Sequence, residues 1–173
     1  MRGDKIDWLL SRILPPAINY LGVFARDQIP KSITTLPACY IINTDPSSAP
    51  GQHWLAVFHF PTHTEFFDSY GLPALAYSFS FPTPLLANTV QLQSDFSSAC
   101  GYYCIAFLFS RAQGFTLAHF VRAFSPSNHA SNDKSVFKWI RSHFANPPPP
   151  KHHLLHPPSL QQSVSRKQHG LMI

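Results

Sequence analysis

Cys100 stands where a polar run, Gln91 to Ala99, gives way to the apolar stretch CGYYCIAFLF. A helix is expected to begin at that junction. A thiolate forms most easily there, because the unpaired amides and positive dipole end of a helix stabilise an anion. A thiol at its ordinary pKa is mostly protonated near neutral pH, so its use as a nucleophile requires a base beside it and a third group to fix the base's tautomer. The chain supplies His53, Asp68 and Cys100 in that order, each at the end of an expected element. Attack on a carbonyl also needs donors for the developing oxyanion, and Gln93, on the run into the helix, offers a side-chain amide. Each residue also has a plainer reading. His53 is one of 10 histidines, and a lone histidine is more often a surface or hydrogen-bonded residue. Asp68, before Ser69-Tyr70-Gly71, has the form of a turn former, and Gln93 that of a polar strand residue.

Several elements must position these groups. Asp4 to Leu14 places Ile6, Leu9, Leu10 and Ile13 on one face of a short helix that Pro15-Pro16 ends. The following stretch, AINYLGVFARDQIPKSITTLP, is proline-punctuated and reads as loop. ACYIIN (38–43) reads as a buried strand, and Cys39 inside it as an inert small hydrophobe. QHWLAVFHF (52–60) and EFFD (65–68) read as an antiparallel hairpin through PTHT. A hairpin centred near Pro61 sets His53 opposite position 69, close to Asp68. Thr89 to Gln93 reads as a strand end, and Thr116–Phe124 and Asn132–Phe144 as amphipathic helices, the second capped by Asn132-Asp133. Cys104 shares a helix face with Cys100 one turn inward and is expected to pack in the core. A zinc site from Cys39, Cys100, Cys104 and His53 has no C-x2-C pair to support it. No metal or cofactor is therefore expected.

The totals bound the class. With 173 residues, 45% hydrophobic and 14% aromatic, the expectation is one globular domain over 1–146 followed by a disordered Pro, His and basic tail over 147–173. No apolar run is long enough to span a bilayer, and MRGDKIDWLL carries acids and breaks too early for a signal peptide, so a soluble intracellular protein with no membrane partner is expected. Three cysteines do not make a disulfide framework. The net charge of +5 is concentrated in the tail, where Lys151, Arg166 and Lys167 have no acid beside them. It predicts at most weak, non-specific DNA binding.

Five stretches, YLGVFARDQIP, PACYIINTD, GQHWLAVF, EFFDSYG and QLQSDFSSACGYYC, together resemble the adenovirus protease (adenain-like) family in sequence and order. The last is the most specific, with Gln seven residues before a Cys-Gly pair and a second Cys four residues after the first. NTDPSS, FDSYG and a later ND..V..WI segment are most similar to proteases of Polinton or Maverick elements and related viruses. The resemblance runs from about Tyr20 to Phe109, roughly half of the chain. It implies an α+β, papain-like cysteine protease fold, with the nucleophile helix against a mostly antiparallel sheet. It also implies Cys100 as nucleophile, His53 as base, Asp68 as acid and Gln93 in the oxyanion hole. The protein substrates it implies are capsid or other virion precursors, with a host nucleus or the virion as location. Asp68 stands where adenoviral enzymes have Glu. DNA or peptide stimulation is a trait of that family, but no cysteine lies between Asp68 and Gln93 to take an activating peptide through a disulfide. The same triad order is compatible with a ubiquitin-like or SUMO-type deconjugating protease or an acetyltransferase, and the fold with a catalytically silent virion scaffold.

Overall fold

The computed structural model describes residues 1–81 and 84–144. The tail expected from 147, and the end of the domain at 146, lie outside these residues. The order is α1 (Gly3–Ile13), β1 (Asn19–Phe24), β2 (Ala38–Asn43), β3 (Trp54–His59), β4 (Thr64–Phe67), a 3-10 turn (Ala74–Tyr77), β5 (Leu85–Ala87), α2 (Cys100–Ala112), α3 (Leu117–Arg122) and α4 (His129–Phe144). The class is mixed α+β.

The five strands form one sheet in the order β1-β2-β3-β4-β5. The central pairs β2–β3 and β3–β4 are antiparallel, whereas β1–β2 and β4–β5 are parallel. The sheet is thus mixed rather than mostly antiparallel, because each edge strand joins its neighbour through a crossover instead of a hairpin.

Period-two alternation gives the sheet two apolar faces. Cys39 and Ile41 of β2, Ala56 and Phe58 of β3 and Phe67 of β4 face the helices, packing with Ile6, Leu10, Tyr103, Phe107, Phe120 and Ile140. Tyr40 and Ile42, Leu55 and Val57, and Phe66 point the other way and are covered by Ala74, Phe79 and loop residues such as Ile29 and Ile33. α2 sits in the centre of the first core, buried on most sides as its all-round apolar sequence requires.

Three expectations are corrected. The 17–37 stretch is not all loop, since Asn19–Phe24 forms β1 beside β2. Its residues are only half-buried, so the apolar run that marks a fully covered strand is missing. Thr89–Gln93 is not a strand, and β5 forms earlier, at Leu85–Ala87. Asn132-Asp133 do not cap α4 but lie inside it, and both are buried. The capping contact comes from Asn128, whose Oδ1 accepts from the Ser131 amide at 3.1 Å.

Candidate active site

The β3–β4 hairpin pairs Ala56 with Phe67 and His59 with Thr64. That register sets position 53 opposite 70, one residue beyond the expected 69. The Tyr70 ring accordingly stacks on His53, with centroids 4.9 Å apart. Asp68, fully buried just past β4, is reached diagonally: His53 Nε2 donates to its Oδ1 at 2.7 Å. The same oxygen accepts the Tyr70 amide (3.0 Å), while Oδ2 accepts the Leu72 amide (3.1 Å) and the Tyr77 hydroxyl (2.8 Å). Asp68 is therefore both turn former and partner of the histidine. With Nε2 engaged, Nδ1 is the imidazole nitrogen left for a nucleophile.

Cys100 is the first residue of α2, and its neighbour Gly101 makes its position reachable. A Cβ at 101 would lie 3.0 Å from Ile6 Cδ1 and 3.3 Å from both Met1 Cβ and Trp54 Cδ1. These contacts are tighter than ordinary van der Waals packing, so glycine eases the close approach of α2 to β3 and α1. Burial pushes the Cys100 thiol up. The hydrogen bond and charge of His53, with the Trp54 and Gly101 amides, outweigh that and hold the thiol below its ordinary value. Burial likewise disfavours an imidazolium at His53, but the hydrogen bonds and charges of Asp68 and Cys100 raise it from 6.5 to about 9. The two shifts together favour a thiolate–imidazolium pair.

The other two thiols are different. Cys104 donates to the Trp54 carbonyl at 3.2 Å, and burial holds its pKa well above the ordinary value. Burial pushes Cys39 up to about 12. Both stay protonated and inert, as their core placement predicts.

Gln93 reaches the site without a strand. The Leu92 and Gln93 amides both donate to the Ser69 carbonyl (2.8 and 3.1 Å), hanging this segment on the turn after β4. Gly71, at φ +71°, permits the approach, since a Cβ there would lie 2.7 Å from the Val90 carbonyl carbon. The Gln93 side chain is oriented at both ends: Oε1 accepts the Ser69 hydroxyl at 2.8 Å, and Nε2 donates to the Ser97 carbonyl (2.7 Å) and Tyr70 Oη (3.2 Å). His53, Gln93 and Cys100 line one cleft of about 690 Å³ together with Trp54, Tyr70 and Ser97. A second cavity of about 720 Å³ shares Gly3, Asp4, Pro50, Gly51 and Trp54 with it, so the two form one extended groove.

The structure thus brings His53, Gln93 and Cys100 to one cleft, with Asp68 buried behind His53 and bonded to it. Among the described residues, no group of three or more His, Cys, Asp or Glu is gathered to hold a metal. Sequence reasoning missed the residues that hold the four in place: Ser69, Tyr70, Tyr77 and Asn88. Asn88 donates to the Asp68 carbonyl (2.6 Å) and accepts its amide (3.0 Å). Ser69 and Tyr70 carried a signal, their adjacency to Asp68, although that adjacency reads as turn chemistry. Tyr77 and Asn88 lie nine and twenty positions away in a stretch without periodicity.

The arrangement suits acyl transfer through a thiolate. The sequence is similar to a protease of porcine adenovirus A serotype 3. The two are 32% identical in a 122-residue alignment that takes in 51% of this chain and 60% of the relative. That is a distant homology, and the matched part spans less than two thirds of the relative's length. No family model matches the sequence.

Proposed function

We propose that this protein is an adenain-like cysteine endopeptidase with a papain-like fold, confined to residues 1–146. Cys100 is the nucleophile, His53 the base and then the acid, Asp68 the orienting carboxylate and Gln93 an oxyanion donor. The observation that carries the reading is the 2.7 Å bond from His53 Nε2 to a fully buried Asp68, beside a thiol held below its ordinary value. The chemistry follows in order. The thiolate attacks the peptide carbonyl, the oxyanion is held by Gln93, and the imidazolium protonates the leaving amine. Water, deprotonated by the now neutral His53, then releases the acyl group from sulfur. The homology to an adenovirus protease supports proteins as substrates; the substrate class proposed is virion precursors of a virus or Polinton-like element, and the proposed setting is the host nucleus or the virion. No cofactor enters this scheme. Stimulation by DNA or a peptide would act on the rate rather than supply chemistry.

The test is cleavage of a proteome-derived peptide library, read by mass spectrometry. The native protein is expected to cut at a consistent sequence and Cys100→Ser to cut nowhere. Retained cleavage by Cys100→Ser would remove the assignment. Labelling of Cys100 by a ubiquitin or SUMO vinyl sulfone would move the substrate to an isopeptide.

A further inference from the structure

We propose that Tyr70 is a further catalytic residue, its phenol O–H donating to the oxyanion that forms on the carbonyl attacked by Cys100. The inference rests on the acyl-transfer reading above and adds a donor to it.

Tyr70 lines the same cleft as Cys100, His53 and Gln93. Its hydroxyl accepts a hydrogen bond from Gln93 Nε2 at 3.2 Å, so it sits next to the amide whose task is to meet the oxyanion. That bond uses an oxygen lone pair, and no described residue takes the phenol's own proton. The neighbouring tyrosines differ in this respect. Tyr77 donates to Asp68, and Tyr103 donates to the Leu92 carbonyl and Asp133. Tyr70 alone of the three keeps a free donor.

Without substrate, both N–H groups of Gln93 have partners, so Gln93 meets the oxyanion only by exchanging one of them. One of its two N–H groups is directed to the Ser97 carbonyl at 2.7 Å, and the other to Tyr70. Accepting from an amide makes a hydroxyl a stronger donor, since linked hydrogen bonds polarise one another. The Gln93–Tyr70 pair is therefore a relay that ends in the phenol proton. Burial and the charges of Cys100, Asp95 and Asp68 raise the phenol's pKa, so it keeps that proton throughout the thiolate's working range. The ring is fixed by its stack on His53 and by its amide's bond to Asp68 Oδ1. The donor is thus in place before substrate arrives.

Two reagents separate this role from a structural one, and neither requires the natural substrate. With p-nitrophenyl acetate, the thiolate adds to the ester carbon and the carbonyl π pair moves to oxygen. The resulting oxyanion collapses to expel p-nitrophenolate and leaves an acetyl thioester on Cys100. With iodoacetamide, the thiolate displaces iodide at a saturated carbon and no oxyanion forms. Tyr70→Phe keeps the ring and removes only the hydroxyl. It is expected to slow the p-nitrophenolate burst about a hundredfold, the lower end of the range for one oxyanion donor. The rate of Cys100 alkylation by iodoacetamide, and its pH profile, should stay as in the native protein. An unchanged burst would overturn the inference, and equal slowing with both reagents would reduce Tyr70 to a support for His53. A native Cys100 no more reactive than a free thiol towards either reagent would remove the acyl-transfer reading, and this inference with it.

Discussion

Asp68 accepts four hydrogen bonds on its carboxylate, from the Tyr70 and Leu72 amides, the Tyr77 hydroxyl and His53. A carboxylate fixed in this way cannot rotate away, so the imidazole it holds presents Nδ1 towards Cys100. The electrostatic consequence is testable. The folded pKa of His53 is raised from 6.5 to about 9, so the imidazolium needed to protonate the leaving amine persists up to that pH and is lost above it. The Cys100 thiolate is present from below its ordinary range upward. Peptide cleavage should therefore rise on an acid limb set by Cys100, hold level through neutral pH and fall on an alkaline limb near 9. Asp68→Asn removes the carboxylate's charge and its hold on the tautomer. It should cut kcat/KM at least about tenfold and move the alkaline limb to lower pH. An alkaline limb that does not move would assign the raised imidazole to some other cause. The four residues proposed to react were all singled out in the sequence, because acyl transfer demands particular residue types and the Gln-to-Cys-Gly spacing is specific. Their supports were not legible: the hydroxyls of Ser69 and Tyr77 gain meaning only when the chain brings them within reach of Gln93 and Asp68.

At the scale of elements, α2 is tied to the β3–β4 hairpin at both ends. Near its start, Cys104 donates to the Trp54 carbonyl. Towards its end, Arg111 Nε pairs with Glu65 Oε2 at 2.6 Å, with both side chains buried. Phe67 and Phe107 stack between these ties, centroids 4.7 Å apart. The hairpin carries His53 and Asp68 and the helix carries Cys100, so the angle between them sets the triad. Arg111 marks the end of the apolar run in the sequence, where it reads as the return to solvent. In the fold it turns inward, because Glu65 on the helix-facing side of β4 needs a cation. The parts of the fold legible in the sequence, α1, β2, the hairpin and α2, are those with clear periodicity or an unbroken apolar run. β1 and β5 were not legible, since edge strands that are half-buried carry no clear alternation. Arg111→Met should destabilise the protein by about 3–5 kcal/mol, the usual cost of leaving a buried charge unpaired. The double variant Glu65→Gln, Arg111→Met should recover a large part of that loss, as urea unfolding would report. A double variant no more stable than Arg111→Met would make the pair's contribution one of packing, not charge.

Across the described residues, α4 closes on the segment that carries Gln93, the proposed oxyanion donor. Asn132, buried within α4, donates from Nδ2 to the carbonyls of Leu92 (3.0 Å) and Ser125 (2.7 Å) and accepts the Ser125 amide on Oδ1 (2.9 Å). The next residue, Asp133, accepts the Tyr103 hydroxyl (3.0 Å) and the Ser94 amide (3.3 Å). The 92–94 segment, which has no strand to hold it, is therefore fixed from both sides: by the Ser69 carbonyl on the hairpin side and by α4 on the other. Irregular backbone in a protein interior must find partners for its polar groups, and here side chains some forty positions later supply them. Asn132→Ala leaves the Leu92 carbonyl without its α4 donor and takes from Ser125 both side-chain partners. A loss of about 2–4 kcal/mol is expected, from the cost of buried groups left unpaired, measured as a shift in the urea midpoint. Below that midpoint, the rate of Cys100 alkylation by iodoacetamide should equal that of the native protein, because no bond in the His53–Asp68–Cys100 set involves α4. The p-nitrophenyl acetate burst should fall, because Gln93 loses part of its anchorage. A variant in which alkylation and burst fall together would instead make α4 a support for the nucleophile itself.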